Sequence, residues 1–361
     1  MKLTHLLFAI TLVIIAGTGC RKKKIDSPTP PTTADPGVYS VGIVRTGANF
    51  IATFWKNDEE HQLTDGQYNA HAEAIEISGK DIYIAGREFN GQQNSSGVRQ
   101  AVAKYWKNGT EVILTDGTQN SWAKAIKVYG KDVYVSGFIT VDNKRVAAYW
   151  KNGTLVEIGN KDAGESEATG IAVSGSDVYV SGTKTIYSPA FAIKAVLWKN
   201  GVETILTSGA GGSMEFATDV KVSGNDVHVC GFSDNPNGEN IAMYWKNGVA
   251  TRLTDGVKHA SAMAMAVKEN DVYIAITEST LTNNSDAKYW KNGQITTLSN
   301  GTSLASAECL DVNNGNVYVG GHLFNASGTI YTAKYWNGSG VFDVGTTEGR
   351  LSKVLDIKVI Q

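Results

Sequence analysis

The sequence is poor in several features that mark common classes of protein. It holds 3 cysteines in 361 residues, too few for a disulfide framework. Its 33 Lys+Arg nearly balance its 35 Asp+Glu, so it lacks the basic surplus of a nucleic-acid-binding protein. The histidines have no metal-ligand spacing, and no Ser/His/Asp set stands out. The sequence therefore predicts no nucleic-acid partner, no metal or cofactor and no catalytic residues.

The N-terminus has the pattern of an export signal. The apolar run from Leu6 to Ile15 follows the basic Lys2 and is too short to span a bilayer. Small residues then lead to Cys20, and this segment resembles the lipobox of bacterial lipoproteins. The resemblance implies cleavage before Cys20 and acylation of its thiol, with palmitate among the acyl groups. We therefore predict a signal peptide over 1–19 and a membrane anchor at Cys20; an ordinary secretory signal with an incidental cysteine is the alternative.

Residues 20–36 are predicted to form an extended tether behind the lipidated cysteine. The segment contains four of the chain's six prolines together with three threonines, a composition typical of semi-rigid spacers. Its basic start, Arg21 to Lys24, can lie beside anionic lipid headgroups. Surface-exported lipoproteins carry acidic residues at this point, so the resemblance favours the periplasmic side of the outer membrane. The predicted localisation is the bacterial cell envelope, lipid-anchored and outside the cytoplasm.

A repeat of about 46 residues fills the remaining segment, 37–361. A tryptophan, most often within Tyr-Trp-Lys-Asn-Gly, recurs as Trp55, Trp106, Trp150, Trp198, Trp245, Trp290 and Trp336. An Asp-Val-Tyr-Val motif and an earlier Ala-x-Ala-Ile-x-Val motif accompany it. These β-branched and aromatic segments favour strands, and Asn-Gly is a strong hairpin signal. Each unit therefore contains four predicted strands: A (Ala-x-Ala-Ile), B (Asp-Val-Tyr), C (Tyr-Trp) and D, which ends in Leu-Thr-Asp-Gly.

Four antiparallel strands per repeat are typical of propeller blades. The predicted fold class is all-β, a seven-bladed β-propeller of four-stranded antiparallel blades. The first unit lacks strand A, whereas residues 354–359 match strand A and have no strand B after them. We therefore expect the C-terminal strand to pair with residues 38–43 in the N-terminal blade. This pairing closes the ring and removes exposed sheet edges.

The repeat also resembles a known family of extracellular repeats. Ala103 to Gly109 and Ala123 to Val128 are similar to the two conserved segments of the HAF-type repeat. The resemblance covers about 37–361. It implies an exported propeller with no defined chemistry.

The two faces of such a ring are expected to differ. The A–B and C–D turns are short and lie on one side, here called the hairpin face, while the longer B–C and D–A connections form the varied-loop face. Because binding residues concentrate on varied loops over a rigid scaffold, we place the ligand site on the varied-loop face. The candidate ligand-binding residues are Trp122, His71, Phe216, Tyr68, His259, Glu165 and Glu167. For Trp122 and Phe216, packing between blades is the alternative, and we predict that role for the seven repeated tryptophans.

The leading hypothesis is a binding or scaffold propeller without enzymatic activity. It would recognise a glycan or an envelope protein through the varied-loop face. The alternative is a glycan-active enzyme, a lyase or hydrolase, with carboxylates such as Glu165 or Glu167 in the funnel of the propeller. A purely structural scaffold is the third hypothesis.

Overall fold

The computed structural model describes residues 32–93, 97, 99–209, 211–279, 284–345 and 349–361. It contains seven four-stranded antiparallel sheets, which form the blades of a ring. The predicted signal peptide, Cys20 and most of the tether lie outside these described residues. Among the described residues, no helix has the length and apolar character that a membrane span requires.

The strands follow one another along the chain, four to a blade, with strand A innermost. Blades 1 to 3 contain β1 (Gly37–Thr46), β2 (Asn49–Lys56), β3 (Glu59–Gln62); β4 (Ala70–Ser78), β5 (Asp81–Gln93), β6 (Arg99–Lys107), β7 (Thr110–Ile113); β8 (Ser121–Tyr129), β9 (Asp132–Val141), β10 (Lys144–Lys151) and β11 (Thr154–Glu157). After a short 3-10 helix (Lys161–Ala163), blades 4 and 5 contain β12 (Ser166–Ser174), β13 (Asp177–Ile186), β14 (Ala192–Lys199), β15 (Val202–Leu206); β16 (Glu215–Ser223), β17 (Asp226–Asp234), β18 (Asn240–Lys246) and β19 (Val249–Arg252). Blades 6 and 7 contain β20 (Ala260–Lys268), β21 (Asp271–Ser279), β22 (Ser285–Lys291), β23 (Gln294–Thr297); β24 (Ala305–Asn313), β25 (Asn316–Phe324), β26 (Tyr331–Asn337) and β27 (Gly340–Asp343).

The last strand, β28 (Ser352–Ile360), closes the ring. It pairs antiparallel with β1, so that Gly37 faces Ile360 and Tyr39 faces Lys358. It also contacts the inner strands of both neighbouring blades, β24 and β4. The predicted seven blades and the predicted closure by the C-terminal strand are confirmed.

Tryptophan side chains fill the spaces between blades. Six of the seven repeated tryptophans are at most 2% exposed, namely Trp55, Trp106, Trp150, Trp198, Trp245 and Trp336. Trp198 of blade 4, for example, shares a core cluster with Ala147 and Ile158 of blade 3. The predicted packing role is therefore confirmed for these six, whereas Trp290 is partly exposed.

On the hairpin face, the repeated Asp and Asn residues join the start of strand B to the C–D turn through hydrogen bonds. In blade 2 the Ile82 N–H donates to Asn108 Oδ1 at 2.8 Å, and Asn108 Nδ2 donates to Asp81 Oδ1 at 2.8 Å. The Lys107 ammonium lies 2.9 Å from Asp81 Oδ2. The same contacts recur in blades 3 to 6, which explains the repetition of these residues by folding rather than by binding.

Two predicted strand boundaries are wrong. Strand D was expected to include Leu-Thr-Asp-Gly, but β7 ends at Ile113 because Asp116 accepts the N–H of Thr118 at 3.0 Å and turns the chain. The connection expected from Arg87 to Gln100 is mostly strand, because β5 and β6 remain paired out to Gln93 and Arg99. Strands B and C therefore rise above the ring as hairpins.

Candidate functional site

A β-bulge interrupts each inner strand near the varied-loop face. It leaves one residue of every inner strand without a partner in strand B: Glu73, Lys124, Thr169, Thr218, Met263, Glu308 and Leu355. All seven line a central channel of about 530 Å³. The bulges thus place a ring of unlike side chains in the channel.

In six of the seven blades a glycine in strand B makes room for the bulge, whereas blade 6 has Ile276 at this position. A Cβ atom at Gly86 would overlap the carbonyl oxygen of His71, and one at Gly137 would overlap that of Trp122. In these two blades the glycine that follows the Asp-x-Tyr motif therefore permits the close approach of two backbones. It positions the bulged strands that carry His71 and Trp122.

Charged and aromatic side chains from blades 2 to 4 meet at the varied-loop end of the channel. We call this set the mouth network, and its members are Glu73, Arg87, Trp122, Lys124, Arg145, Glu165 and Glu167. The Arg87 side chain, 7% exposed, ion-pairs with Glu73. Its Nη2 donates to His71 Nδ1 at 3.0 Å, since a guanidinium can only donate. Its central carbon lies 3.6 Å from the centre of the Trp122 ring, a cation–π contact.

The network continues outward through blade 4. Lys124 ion-pairs with Glu167. Arg145 donates to Glu167 at 2.9 Å and to Glu165 at 3.1 Å. The Tyr187 hydroxyl donates to Glu165 Oε1 at 3.2 Å. A continuous series of contacts therefore links the channel wall to the exposed B–C connection of blade 4.

Trp122 is enclosed by this network. The Arg87 guanidinium lies over its ring, the Lys124 ammonium lies 5.4 Å from the ring centre, and the Phe138 ring centre is 5.2 Å away. The indole Nε1 is buried and has no hydrogen-bond partner among the residues that the structure describes. Trp122 therefore holds Arg87 in place and leaves only part of its own surface to a ligand.

Two aromatic side chains stand exposed beside the network. Tyr187 is 58% and Phe191 is 56% exposed, and both belong to the connection between β13 and β14. Their ring centres are 6.2 Å apart. We call them the aromatic pair; they offer an apolar surface next to the charged groups of Arg145 and Glu165.

The other predicted residues lie elsewhere on the varied-loop face. Phe216 stacks on Phe232 of blade 5, with ring centres 4.6 Å apart. His259 Nε2 lies 3.0 Å from Glu239 Oε2, and Tyr68 lies against Gly91. The structure thus brings together four predicted residues, His71, Trp122, Glu165 and Glu167, and leaves Phe216, His259 and Tyr68 apart from them.

The predictions missed Arg87, Arg145 and the aromatic pair. All four residues belong to the B–C segments that the sequence identified as varied, so the signal was present. Nothing in a linear repeat, however, indicates that Arg87 and Arg145 reach the bulged strands of adjacent blades.

The carboxylates of the network are paired with cations. Burial raises the pKa of Glu73, but the Arg87 guanidinium, His71 and the Lys124 ammonium together more than offset this effect and hold the pKa at about 2, below the ordinary 4.5. Glu73 is therefore ionised near neutral pH and cannot serve there as a proton donor. In the described part of the chain, no group of three or more His, Cys, Asp or Glu side chains is placed to hold a metal ion.

Comparisons with known proteins agree on the fold. No family model matches the chain, and no curated protein matches it. The β-propeller domain of the Trilobed protease from Pyrococcus furiosus, described as having an open velcro topology, aligns with a TM-score of 0.51. Its sequence is 13% identical, and the alignment covers 86% of this chain and 96% of that domain.

A puromycin-hydrolyzing peptidase of Mycobacterium tuberculosis also has a TM-score of 0.51, at 10% identity. The alignment covers 75% of this chain and 46% of the peptidase, so the chain spans less than half of that enzyme. At such identities the likeness concerns the fold alone. The comparisons show a β-propeller, and the resemblance to HAF-type repeats stays a prediction.

Proposed function

We propose that this protein is a glycan-binding propeller, anchored in the bacterial cell envelope through a lipid on Cys20. The observation that carries the binding proposal is the aromatic pair beside the mouth network. Exposed aromatic rings stack on the apolar faces of sugars, and paired carboxylate and guanidinium groups hydrogen-bond to neighbouring hydroxyls. Both kinds of group lie on the face with the varied connections.

The geometry favours a glycan over a protein partner because the network is polar and already paired. The positive charges of Arg145 and Lys124 balance the negative charges of Glu165 and Glu167, so a neutral ligand can bind without leaving a charge unpaired. A protein partner would bury a broader apolar surface than the aromatic pair provides.

The same pairing argues against a hydrolase, one of the two enzymatic alternatives. Glycoside hydrolysis needs one carboxylic acid that stays protonated and a second carboxylate facing it. Glu73 is ionised, and Glu165 and Glu167 are both hydrogen-bonded to Arg145. A bound glycan that is cleaved by the protein, but not by Glu167→Gln, would establish the enzyme instead.

Glycan binding should depend on the aromatic pair. We expect Tyr187→Ala and Phe191→Ala each to weaken binding at least about tenfold, because each removes a stacking surface. A glycan array would identify the ligand, and isothermal titration calorimetry would measure its affinity. Tyr129→Ala is the matched control, since Tyr129 is 43% exposed but lies on the hairpin face. An array without binding, or equal affinities for all three variants, would refute the proposal.

The anchor should depend on Cys20 alone. We expect Cys20→Ala to move the protein from the membrane fraction to the soluble fraction and to abolish labelling by palmitate. Cys230→Ala is the control, because Cys230 is a buried free thiol in blade 5. Retention of Cys20→Ala in membranes would contradict the lipoprotein assignment.

A further inference from the structure

Three departures from the repeat coincide on the hairpin face between blades 5 and 6. His228 stands where the strands B of neighbouring blades carry tyrosine. Glu269 stands in an A–B turn where blades 2 to 5 carry glycine. Trp290 alone among the seven repeated tryptophans is partly exposed. Because the other blades fold without these features, the propeller fold does not require them.

All three residues line one pocket of about 320 Å³. The rings of Tyr244 and Trp290 lie beside each other, with their centres 5.8 Å apart and their planes at 41°. The His228 ring stacks on Tyr244, with the ring centres 5.9 Å apart and the ring planes at 14°. The pocket lies at the small end of the range for ligand sites, about 300 to 1,000 Å³, so it suits a small molecule.

The aromatic wall is held uncharged. His228 Nδ1 lies 2.6 Å from the Tyr244 hydroxyl. Burial lowers the pKa of His228 and raises that of Tyr244 to about 12. Near neutral pH the histidine is therefore neutral, and its Nδ1 shares a hydrogen bond with the tyrosine hydroxyl.

Glu269 adopts a costly backbone conformation at the rim of this pocket. Its φ is 55°, in the left-handed region that disfavours residues with a Cβ atom. Gly224, at the same turn position in blade 5, has a φ of 59° without that cost. Strain that a simple glycine would relieve points to a role for the side chain.

The lining of the pocket carries one unbalanced negative charge. Asp226 and Lys246 pair at 2.7 Å and cancel each other. Within the described part of the chain, the exposed Glu269 carboxylate has no ion-pair partner within 4.0 Å. Aromatic faces attract cations, and a nearby carboxylate adds to that attraction.

We propose that this pocket binds a small organic cation with an ammonium or quaternary ammonium group. The cation lies against Trp290 and Tyr244, and Glu269 is its counter-ion. The site is separate from the proposed glycan site, which lies on the opposite face of the ring. The hairpin face, whose repeated turns otherwise stabilise the fold, thus binds a second ligand.

The test compares choline with its neutral isostere 3,3-dimethyl-1-butanol, titrated calorimetrically into the purified full chain. We expect choline to bind and the isostere to bind at least about tenfold more weakly. Glu269→Gln should weaken choline binding by a similar factor. Glu157→Gln is the matched control, because Glu157 lines the equivalent pocket between blades 3 and 4. The affinity of this variant for choline should equal that of the unaltered protein.

A second variant separates binding from folding. Glu269→Gly should raise the melting temperature, since it relieves the left-handed backbone, and should still lose choline binding. Equal binding of choline and the isostere would overturn the proposal. So would equal affinities of Glu269→Gln and Glu157→Gln, or the absence of choline binding to the unaltered protein.

Discussion

Deletion of residues 352–361 should leave the chain unable to reach a soluble, cooperatively folded state. The deletion removes β28, whose Val354 and Ile357 are completely buried. It exposes one edge of β1. It also removes the strand that links blade 7 to blade 2, because β28 contacts both β24 and β4. Two uncovered sheet surfaces in one molecule favour edge-to-edge aggregation. The soluble fraction on expression and the thermal transition measure the effect.

A circular permutant provides the control for this deletion. Gly37 faces Ile360 in the β1–β28 pair, so a two-residue turn like Gly224-Asn225 can join the end of β28 to the start of β1. The permuted chain begins at Ser352 and ends at Leu351, and both variants lack residues 1–36. We expect the permutant to be soluble and to melt cooperatively, since it converts blade 1 into an ordinary blade. A deletion variant that melts cooperatively would show that the ring does not depend on β28.

The fold could be predicted from the sequence because each blade repeats the same local signals. Asn-Gly turns such as Asn108-Gly109 and buried tryptophans such as Trp106 recur at fixed places and define the strands. Residues 354–359 match strand A and have no strand B after them, so they close the ring by pairing with the first unit, which lacks a strand A. Strand D ends earlier than predicted because the Asp116 side chain accepts a backbone hydrogen bond that turns the chain. Strand D is the outermost strand of its blade, so this side-chain hydrogen bond competes with pairing on one side only.

The site was only partly predictable, for a physical reason. His71, Trp122 and Glu167 share one position in the repeat, so aligning the units places them together around the channel. Their partners Arg87 and Arg145 come from strands B and C, and the repeat pattern does not specify how far those side chains reach. The bulges that turn Glu73 and Lys124 into the channel are backbone features that the alternation of residues does not reveal.

Arg87→Ala is expected to be the most damaging single substitution in the mouth network. It removes the buried cation that balances Glu73, whose side chain is 18% exposed, and it removes the closer of the two cations over the Trp122 ring. Breaking such a pair from one side costs about 3–5 kcal/mol, because an uncompensated charge stays buried. Urea denaturation would measure the loss in the free energy of unfolding. Arg252→Ala, at an exposed arginine of blade 5, should change this free energy by less than about 0.5 kcal/mol.

The loss should be largely recovered when Glu73 is neutralised as well. In Arg87→Ala/Glu73→Gln no buried charge is left without a partner, so the double variant should be more stable than Arg87→Ala alone. The pH dependence gives an independent measure, because the pKa of Glu73 lies at about 2 in the folded chain and at an ordinary 4.5 when unfolded. Ionised Glu73 therefore adds about 3 kcal/mol above pH 4.5, and this contribution is lost as the pH falls from 4.5 towards 2. The difference in the free energy of unfolding between the unaltered protein and Glu73→Gln should shrink over that interval. A difference that stays constant with pH would show that Arg87 does not stabilise the ionised carboxylate. Additive effects of Arg87→Ala and Glu73→Gln would show the same.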